Sequence, residues 1–190
     1  MKTYELNGTL RAEYGKKAAK AIRKQAMVPC NLYGMGENVT FTVMEAEVHK
    51  LLYSPDTQVV ALTIGDTKKM AVIKETQFHA LSGEVLHIDF LEVNEKKPVT
   101  VEIPVQLTGL AEGVKAGGKL SLEMRKLRVN GIYTQIPERI VIDVTNLGLG
   151  KKIAVNDVQI EGLKMMNVKD ACVAQVRATR ASAAAATEEA

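Results

Sequence analysis

EVLHIDFLEV, residues 84–93, alternates apolar and polar side chains over most of its length. The two kinds of residue fall on opposite faces: Leu86, Ile88 and Phe90 on one, His87 and Asp89 on the other. A period of two residues is that of a half-buried β-strand. The segment is therefore predicted to be a strand that has one face in a core and one polar face at the surface.

Alternation elsewhere predicts that the chain is mainly β. Further strand patterns occur at residues 31–33, 39–43, 57–64, 68–76 and 99–107. Two of these, 57–64 and 68–76, flank the turn residues Gly65 and Asp66, as the strands of a hairpin do. Helical spacing occurs at residues 16–25 and 44–53. The first half of the chain is thus predicted to hold several strands and two helices.

A polar break at EKKP, residues 95–98, predicts two domains, residues 1–95 and 96–178. Short strands separated by turn residues are predicted in the second domain at residues 120–124, 127–129, 140–144, 155–160 and 171–178. Strands at this spacing favour a small β-sandwich or barrel. The Ala-rich end, residues 179–190, is predicted to be a disordered tail.

Positive charge is concentrated in one short segment. The chain has 190 residues and a net charge of +3, yet residues 11–24 hold six Lys and Arg against the single acid Glu13. A protein that coats any polyanion is normally basic throughout. Aromatic residues make up 4% and Trp is absent, which argues against a surface that stacks many bases. One local patch fits a defined anionic partner better.

Several classes of function lack their motifs in this sequence. Cys30 and Cys172 stand far apart, so they predict neither a disulfide scaffold nor a zinc site. There is no GxxxxGK[ST] and no HExxH, and the three histidines lack metal-ligand spacing. No apolar stretch approaches the roughly 20 residues that span a bilayer. We therefore expect a cytoplasmic protein with no cofactor, metal, membrane or small-molecule substrate.

His87 and Asp89 raise the question of catalysis, because two such groups on one strand face suit acid–base work. A polar, partly exposed strand face is the simpler interpretation. Nothing in the sequence assembles a nucleophile, a base and an oxyanion site around them. The sequence therefore predicts that the protein is not an enzyme.

The basic segment is predicted to be a helix, with Lys16, Lys20 and Lys24 spaced four apart and Arg23 on the same side. Pro29 is expected to end it. Such a stripe can contact nucleic-acid phosphates, which gives affinity but little sequence choice. The alternative is a solvated basic face, and the helix alone does not decide between the two.

Four motifs taken in order resemble one known family. The first is R-x-x-x-G-K, a basic helix and P-x-x-x-Y-G, present as Arg11, Gly15, Lys16, Lys20, Arg23, Pro29, Tyr33 and Gly34. The others lie at residues 74–93, 103–120 and 136–158. Together they resemble the bacterial large-subunit ribosomal proteins that bind 5S ribosomal RNA, in the long form also called general stress protein Ctc. The resemblance covers residues 1 to about 178.

The resemblance implies an N-terminal six-stranded β-barrel with helices, followed by a C-terminal all-β domain that contacts neighbouring ribosomal components. It further implies binding of 5S rRNA at its loop E region, whose grooves are distorted. By position, the RNA-binding residues are Arg11, Lys16, Lys20, Arg23, Tyr33, Lys74, His87 and Asp89. Their chemistry predicts that Lys and Arg contact phosphates, Tyr33 the sugar–phosphate chain, and His87 and Asp89 the base edges.

Three positions depart from the family pattern. Ala19 and Phe78 stand where Ser and Arg are common, and Lys20 replaces a common Arg, which loses the bidentate fork. These changes predict the same site with fewer contacts. A different function remains open: a stress-related protein-interaction module that uses the C-terminal domain and is not primarily bound to RNA.

Overall fold

The computed structural model of the protein describes residues 1–36, 38–158, 160 and 162–179. The chain divides into two compact units, one made of Met1–Val101 with Ile132–Ile136 and the other of Glu102–Gly131 with the chain from Pro137 onward. The boundary predicted between residues 95 and 96 stays a prediction. The predicted tail lies outside the described residues except for Thr179.

The first unit contains a closed β-barrel. Its elements are β1 (Lys2–Leu10), α1 (Lys16–Lys24), β2 (Met27–Tyr33), β3 (Val39–Met44), α2 (Glu45–Leu52), β4 (Gln58–Ile64), β5 (Thr67–Phe78) and β6 (Val85–Glu92). Around the barrel the six strands follow the order β1, β3, β2, β6, β5, β4. The predicted mainly β fold and its six-stranded barrel are confirmed.

The alternating apolar residues of these strands fill the barrel. Phe41 and Phe90 meet at its centre, with ring centroids 5.7 Å apart, and both are fully buried. Gly8 of β1 lies against the Phe41 ring, since a Cβ there would come within 2.5 Å of Cδ2 of Phe41. Burial of the inner faces leaves the alternate, polar side chains on the outside of the barrel.

Helix α1 ends earlier than predicted. Its last residue is Lys24, and Ala26 takes a left-handed conformation, with φ 54°. The amide of Ala26 donates to the carbonyl of Arg23 at 3.1 Å, which closes the turn. β2 then begins at Met27, opposite Met44 of β3, and Pro29 lies inside it. Pairing with β3, rather than the proline, sets where the helix gives way to the strand.

β6 departs from strict alternation at one residue. Gln77 of β5 pairs with His87, whereas Phe78 pairs with Val85, so the register shifts around Leu86. Val85 is consequently buried and Leu86 is half-buried. The predicted inner position of Leu86 is wrong, while the predicted faces of the other residues agree with the structure: Ile88 and Phe90 buried, His87 and Asp89 half-exposed. A β-bulge of this kind re-aims the backbone as well as the side chain.

The remainder of the chain is also rich in strands. Its elements are β7 (Val99–Thr108), α3 (Glu112–Lys115), β8 (Lys119–Leu122), β9 (Lys126–Gly131), β10 (Ile140–Asp143), β11 (Lys152–Ala154), β12 (Lys164–Met165) and β13 (Cys172–Arg177). They form a sheet in the order β10, β7, β9, β12 and a second sheet in the order β11, β13, β8. The predicted β-rich second half is confirmed.

The strand predicted at residues 155–160 is wrong in its described part. Val155–Asp157 forms a 3₁₀ helix that follows β11 directly. The Asp157 carboxylate accepts a hydrogen bond from the amide of Ala154 at 2.8 Å. A side-chain acceptor of this kind offers the backbone an alternative to a sheet ladder.

Candidate nucleic-acid interface

Three neighbouring strands of the barrel, β2, β6 and β5, carry polar side chains outward. In the register Asn31 of β2 lies opposite Asp89 of β6, and Asp89 lies opposite Glu75 of β5. Gln77 of β5 lies opposite His87. Together with Tyr33, these residues form the polar face, which consists of Asn31, Tyr33, Glu75, Gln77, His87 and Asp89. Hydrogen-bonding groups of several kinds are thus arranged on one side of a rigid barrel.

His87 and Asp89 contact each other on this face. Nδ1 of His87 is 3.4 Å from Oδ1 of Asp89, and the two side chains are 28% and 27% exposed. With Nδ1 turned towards the carboxylate, Nε2 of the imidazole remains for a ligand, and the carboxylate keeps further acceptor positions. The pair can therefore present an imidazole nitrogen and an acceptor side by side.

Arg23 connects the basic helix to the polar face. Its Nε and Nη2 donate to the carbonyl oxygen of Leu86, at 3.1 and 2.9 Å. This carbonyl belongs to the bulged residue of β6, directly before His87. The guanidinium has five N–H groups, so the remaining donors can still meet an anion. One side chain thus fixes α1 beside the strand that carries His87 and Asp89.

The lysines of α1 lie on its exposed side. Lys16, Lys17, Lys20 and Lys24 are all exposed, whereas the contact side is half-buried and made of Ala18, Ala19 and Ile22. Ala21 is exposed like the lysines. No acidic residue stands in the first turn, and none of the helix residues is fully buried. The helix buries little area, so its position depends on individual contacts such as that of Arg23.

Arg11 and Tyr14 occupy the segment between β1 and α1. Cζ of Arg11 lies 5.7 Å from the centroid of the Tyr14 ring, and the Tyr14 hydroxyl donates to the carbonyl of Arg11 at 3.4 Å. The amide of Arg11 donates to the carbonyl of Thr40 in β3 at 3.1 Å. These contacts hold Arg11 next to β3, which pairs with β2.

Tyr33 belongs to the polar face by both position and electrostatics. Burial raises the pKa of Tyr33, and the carboxylates of Asp89 and Glu75 raise it further. The phenol therefore stays protonated well above neutral pH and can donate a hydrogen bond.

The pKa of Cys30, next to Asn31 but inside the barrel, is also raised by burial, and then by Asp89. That thiol is a core group rather than a nucleophile.

Lys74, a predicted RNA-binding residue, and Phe78, a departure from the family pattern, both lie on β5. Lys74 is exposed, at a shift in register between Ile73 and Glu75. Phe78, where the family commonly has Arg, is 49% exposed. It lies opposite the buried Val85, so it belongs to the inward side at the end of the barrel and not to the polar face.

Sequence reasoning missed three residues of the polar face: Asn31, Glu75 and Gln77. Alternation along β2 places Asn31 and Tyr33 on the same face of the strand. The predicted strand, residues 31–33, is too short to show this pattern. Glu75 and Gln77 also alternate, but their neighbours Asp89 and His87 follow only from the pairing of β5 with β6.

Other kinds of site are not visible in the described part of the chain. Among those residues, no group of three or more His, Cys, Asp or Glu is placed to hold a metal ion. None of the helices there is long and apolar enough to cross a bilayer.

Comparison with known proteins identifies the family. Residues 6–90 match the model of the Ribosomal L25p family, and residues 98–180 match that of the C-terminal domain of ribosomal protein TL5. The large ribosomal subunit protein bL25 of Porphyromonas gingivalis is 54% identical over 191 aligned residues, which cover 100% of both chains. The chain belongs to the ribosomal L25p family.

Further L25p proteins agree along nearly the whole chain. The bL25 protein of Azobacteroides pseudotrichonymphae is 51% identical and the match covers 95% of this chain and 96% of that one. The bL25 protein of Bacteroides thetaiotaomicron is 47% identical, with coverages of 98% and 97%. The resemblance to large-subunit ribosomal proteins is thereby confirmed.

Membership of the L25p family also decides broader questions. L25p proteins are structural proteins of the ribosome and not enzymes, so the prediction against catalysis is confirmed. The expected cytoplasmic location agrees with a ribosomal protein. The stress-protein alternative is not favoured, because the relatives described above carry only ribosomal names.

Proposed function

We propose that the protein, a structural component of the large ribosomal subunit, binds 5S rRNA at its loop E region through α1 and the polar face. Membership of the L25p family assigns the protein to the large ribosomal subunit. The observation that carries the RNA site is the hydrogen-bonded connection of Arg23 to Leu86, because it puts a basic helix and a strand with His87 and Asp89 in one fixed arrangement.

The two parts of the site have complementary tasks. The exposed lysines of α1 neutralise phosphates, which gives affinity that depends on salt but not on sequence. The polar face supplies acceptors and donors for base edges, which gives discrimination. Two carboxylates, Asp89 and Glu75, face each other there. On a surface that only attracted phosphates they would be repulsive, whereas they suit the exocyclic amines of bases.

The distorted grooves of loop E fit these requirements. Regular A-form RNA has a deep, narrow major groove in which side chains do not reach the base edges. The polar face lies on strands of a closed barrel and cannot extend into such a groove. A widened or non-standard helix brings its base edges to the surface of the barrel.

The division of labour between domains is part of the same proposal. Residues 1–95 bind 5S rRNA, and residues 96–178 form the C-terminal β domain that contacts neighbouring ribosomal components.

Gel-shift titrations of 5S rRNA over a salt series test the function. We expect specific binding whose log K falls with log salt with a slope of about −2.7 to −4.5, reflecting roughly three to five neutralised phosphates. A random RNA duplex of the same length and base composition is the competitor. Equal affinity for both RNAs would contradict the proposal.

Lys20→Ala should lower the magnitude of this salt slope by about one unit, because a single phosphate contact is lost. The loss of affinity should be similar for 5S rRNA and for the random duplex, since phosphate contacts carry no sequence information. Lys50→Ala is the matched control, because Lys50 is an exposed lysine of the other barrel-domain helix, α2. An unchanged slope for Lys20→Ala would place this residue outside the interface.

A further inference from the structure

Asn31 is a polar residue among buried apolar residues of β2. Its neighbours Cys30 and Leu32 are fully buried inside the barrel, which puts Asn31 on the outer side. There it lies opposite Asp89 of β6 on one side and Thr40 of β3 on the other. Tyr33 follows two residues later on the same side. Asn31 is therefore the β2 residue that is most closely associated with Asp89 by strand pairing.

The side-chain oxygen of Asn31 has no hydrogen-bond partner among the described residues. Oδ1 is covered by protein, and no described residue donates to it. A covered amide oxygen without a partner destabilises the fold, and folded proteins keep few of them. Asp89 cannot supply the missing bond, because a carboxylate has acceptors and no donor. The described part of the fold therefore leaves the Oδ1 acceptor of Asn31 unused.

Nε of Arg11 is in the same condition. It is a covered donor without a partner among the described residues, and Arg11 is held at Thr40, the residue opposite Asn31. Two unsatisfied polar atoms thus occur in the same part of the barrel surface, at its border with the polar face. Unsatisfied groups that cluster in this way are typical of sites completed by a ligand.

We propose that Asn31 is a specificity-determining residue of the RNA site. Its Oδ1 accepts a hydrogen bond from an N–H donor on a base edge, next to the base that Asp89 contacts. The carboxamide can expose Oδ1 by turning about its Cβ–Cγ bond, a rotation with a broad energy well. Unlike Asp89 and Glu75, Asn31 adds recognition without a negative charge near phosphates. This inference rests on the proposed binding of 5S rRNA.

Asn31→Leu separates a role in recognition from a role in the fold. Leu has a similar size and no polar atom, so removing the unsatisfied oxygen should leave the Tm unchanged or higher. Affinity for 5S rRNA should fall about tenfold, whereas affinity for the random duplex and the salt slope should not change. If Asn31→Leu does not fold, Asn31→Val is used instead, because Val is favoured in strands.

Asn7→Leu is the matched control. Asn7 is an exposed residue of β1 opposite Thr63 of β4, away from the strands of the polar face. The Asn7→Leu variant should bind both RNAs as the unmodified protein does. The experiment combines thermal unfolding with gel-shift titrations of all variants against 5S rRNA and the random duplex.

Each outcome bears on a different claim. If Asn31→Leu binds 5S rRNA as tightly as the unmodified protein, the role of Asn31 is refuted and the proposed function stands. If it unfolds at a lower temperature and loses both RNAs equally, Asn31 is structural and the inference fails. If the unmodified protein itself does not prefer 5S rRNA, the proposed function fails and this inference with it.

Discussion

Asp89→Asn should weaken binding to 5S rRNA by about 1–3 kcal/mol while leaving binding to a random duplex unchanged or slightly tighter. The carboxylate is expected to accept from an exocyclic amine of a base, and a carboxamide makes only part of that contact. Removal of its charge also reduces repulsion from phosphates, which raises affinity for RNA of any sequence. Opposite effects on the two RNAs distinguish recognition from electrostatic attraction.

Glu5→Gln is the control for charge. Glu5 is an exposed carboxylate of β1, a strand that does not contribute to the polar face. If loss of charge alone governs the result, the two variants will behave alike. If Asp89 contacts a base, only Asp89→Asn will lose its preference for 5S rRNA, as measured by competition gel shifts at fixed salt. Equal loss on both RNAs would refute the role of Asp89.

The outer and inner faces of the barrel strands were predictable because side-chain alternation is a local property. Ile88 and Phe90 are buried and His87 and Asp89 point outward, as their spacing indicated. The predicted position of Leu86 is wrong because it depends on the shift in register between β5 and β6. A bulge is defined by two strands at once, and no periodicity within one strand contains it.

The composition of the polar face was harder to predict than its central pair. Asn31 meets Asp89 through parallel pairing of β2 with β6, and Glu75 meets it through antiparallel pairing with β5. Neither pairing has a signature in the sequence of a single strand. The barrel closure itself was predicted through family resemblance and not through pattern.

The basic helix shows the same limit. Its position and its exposed lysines followed from spacing and charge, as residues 16–24 confirm. The role of Pro29 did not, because pairing of Met27 with Met44 starts β2 before the proline is reached. The partner of Arg23 is 63 residues away in the chain. A long side chain with five donors gives no local hint of its acceptor.

Arg23→Lys is expected to weaken 5S rRNA binding by about 1–2 kcal/mol and to leave the salt slope nearly unchanged. Lys keeps the charge, so counterion release is preserved. It cannot reproduce the pair of hydrogen bonds from Nε and Nη2 to the Leu86 carbonyl. Because α1 buries little area, loss of this connection lets the helix move, and the protein must order it on binding.

Arg23→Ala should cost about 1–3 kcal/mol and also reduce the slope by about one unit, if the free donors of Arg23 contact a phosphate. The comparison of both variants with Lys20→Ala separates the two tasks. Lys20→Ala changes the slope without freeing the helix, and Arg23→Lys does the reverse. Should Arg23→Lys bind as the unmodified protein does at every salt concentration, Arg23 would be a phosphate contact alone. The fixed relation between α1 and the polar face would then have to come from the small Ala18, Ala19 and Ile22 contact, a surface with no fully buried side chain.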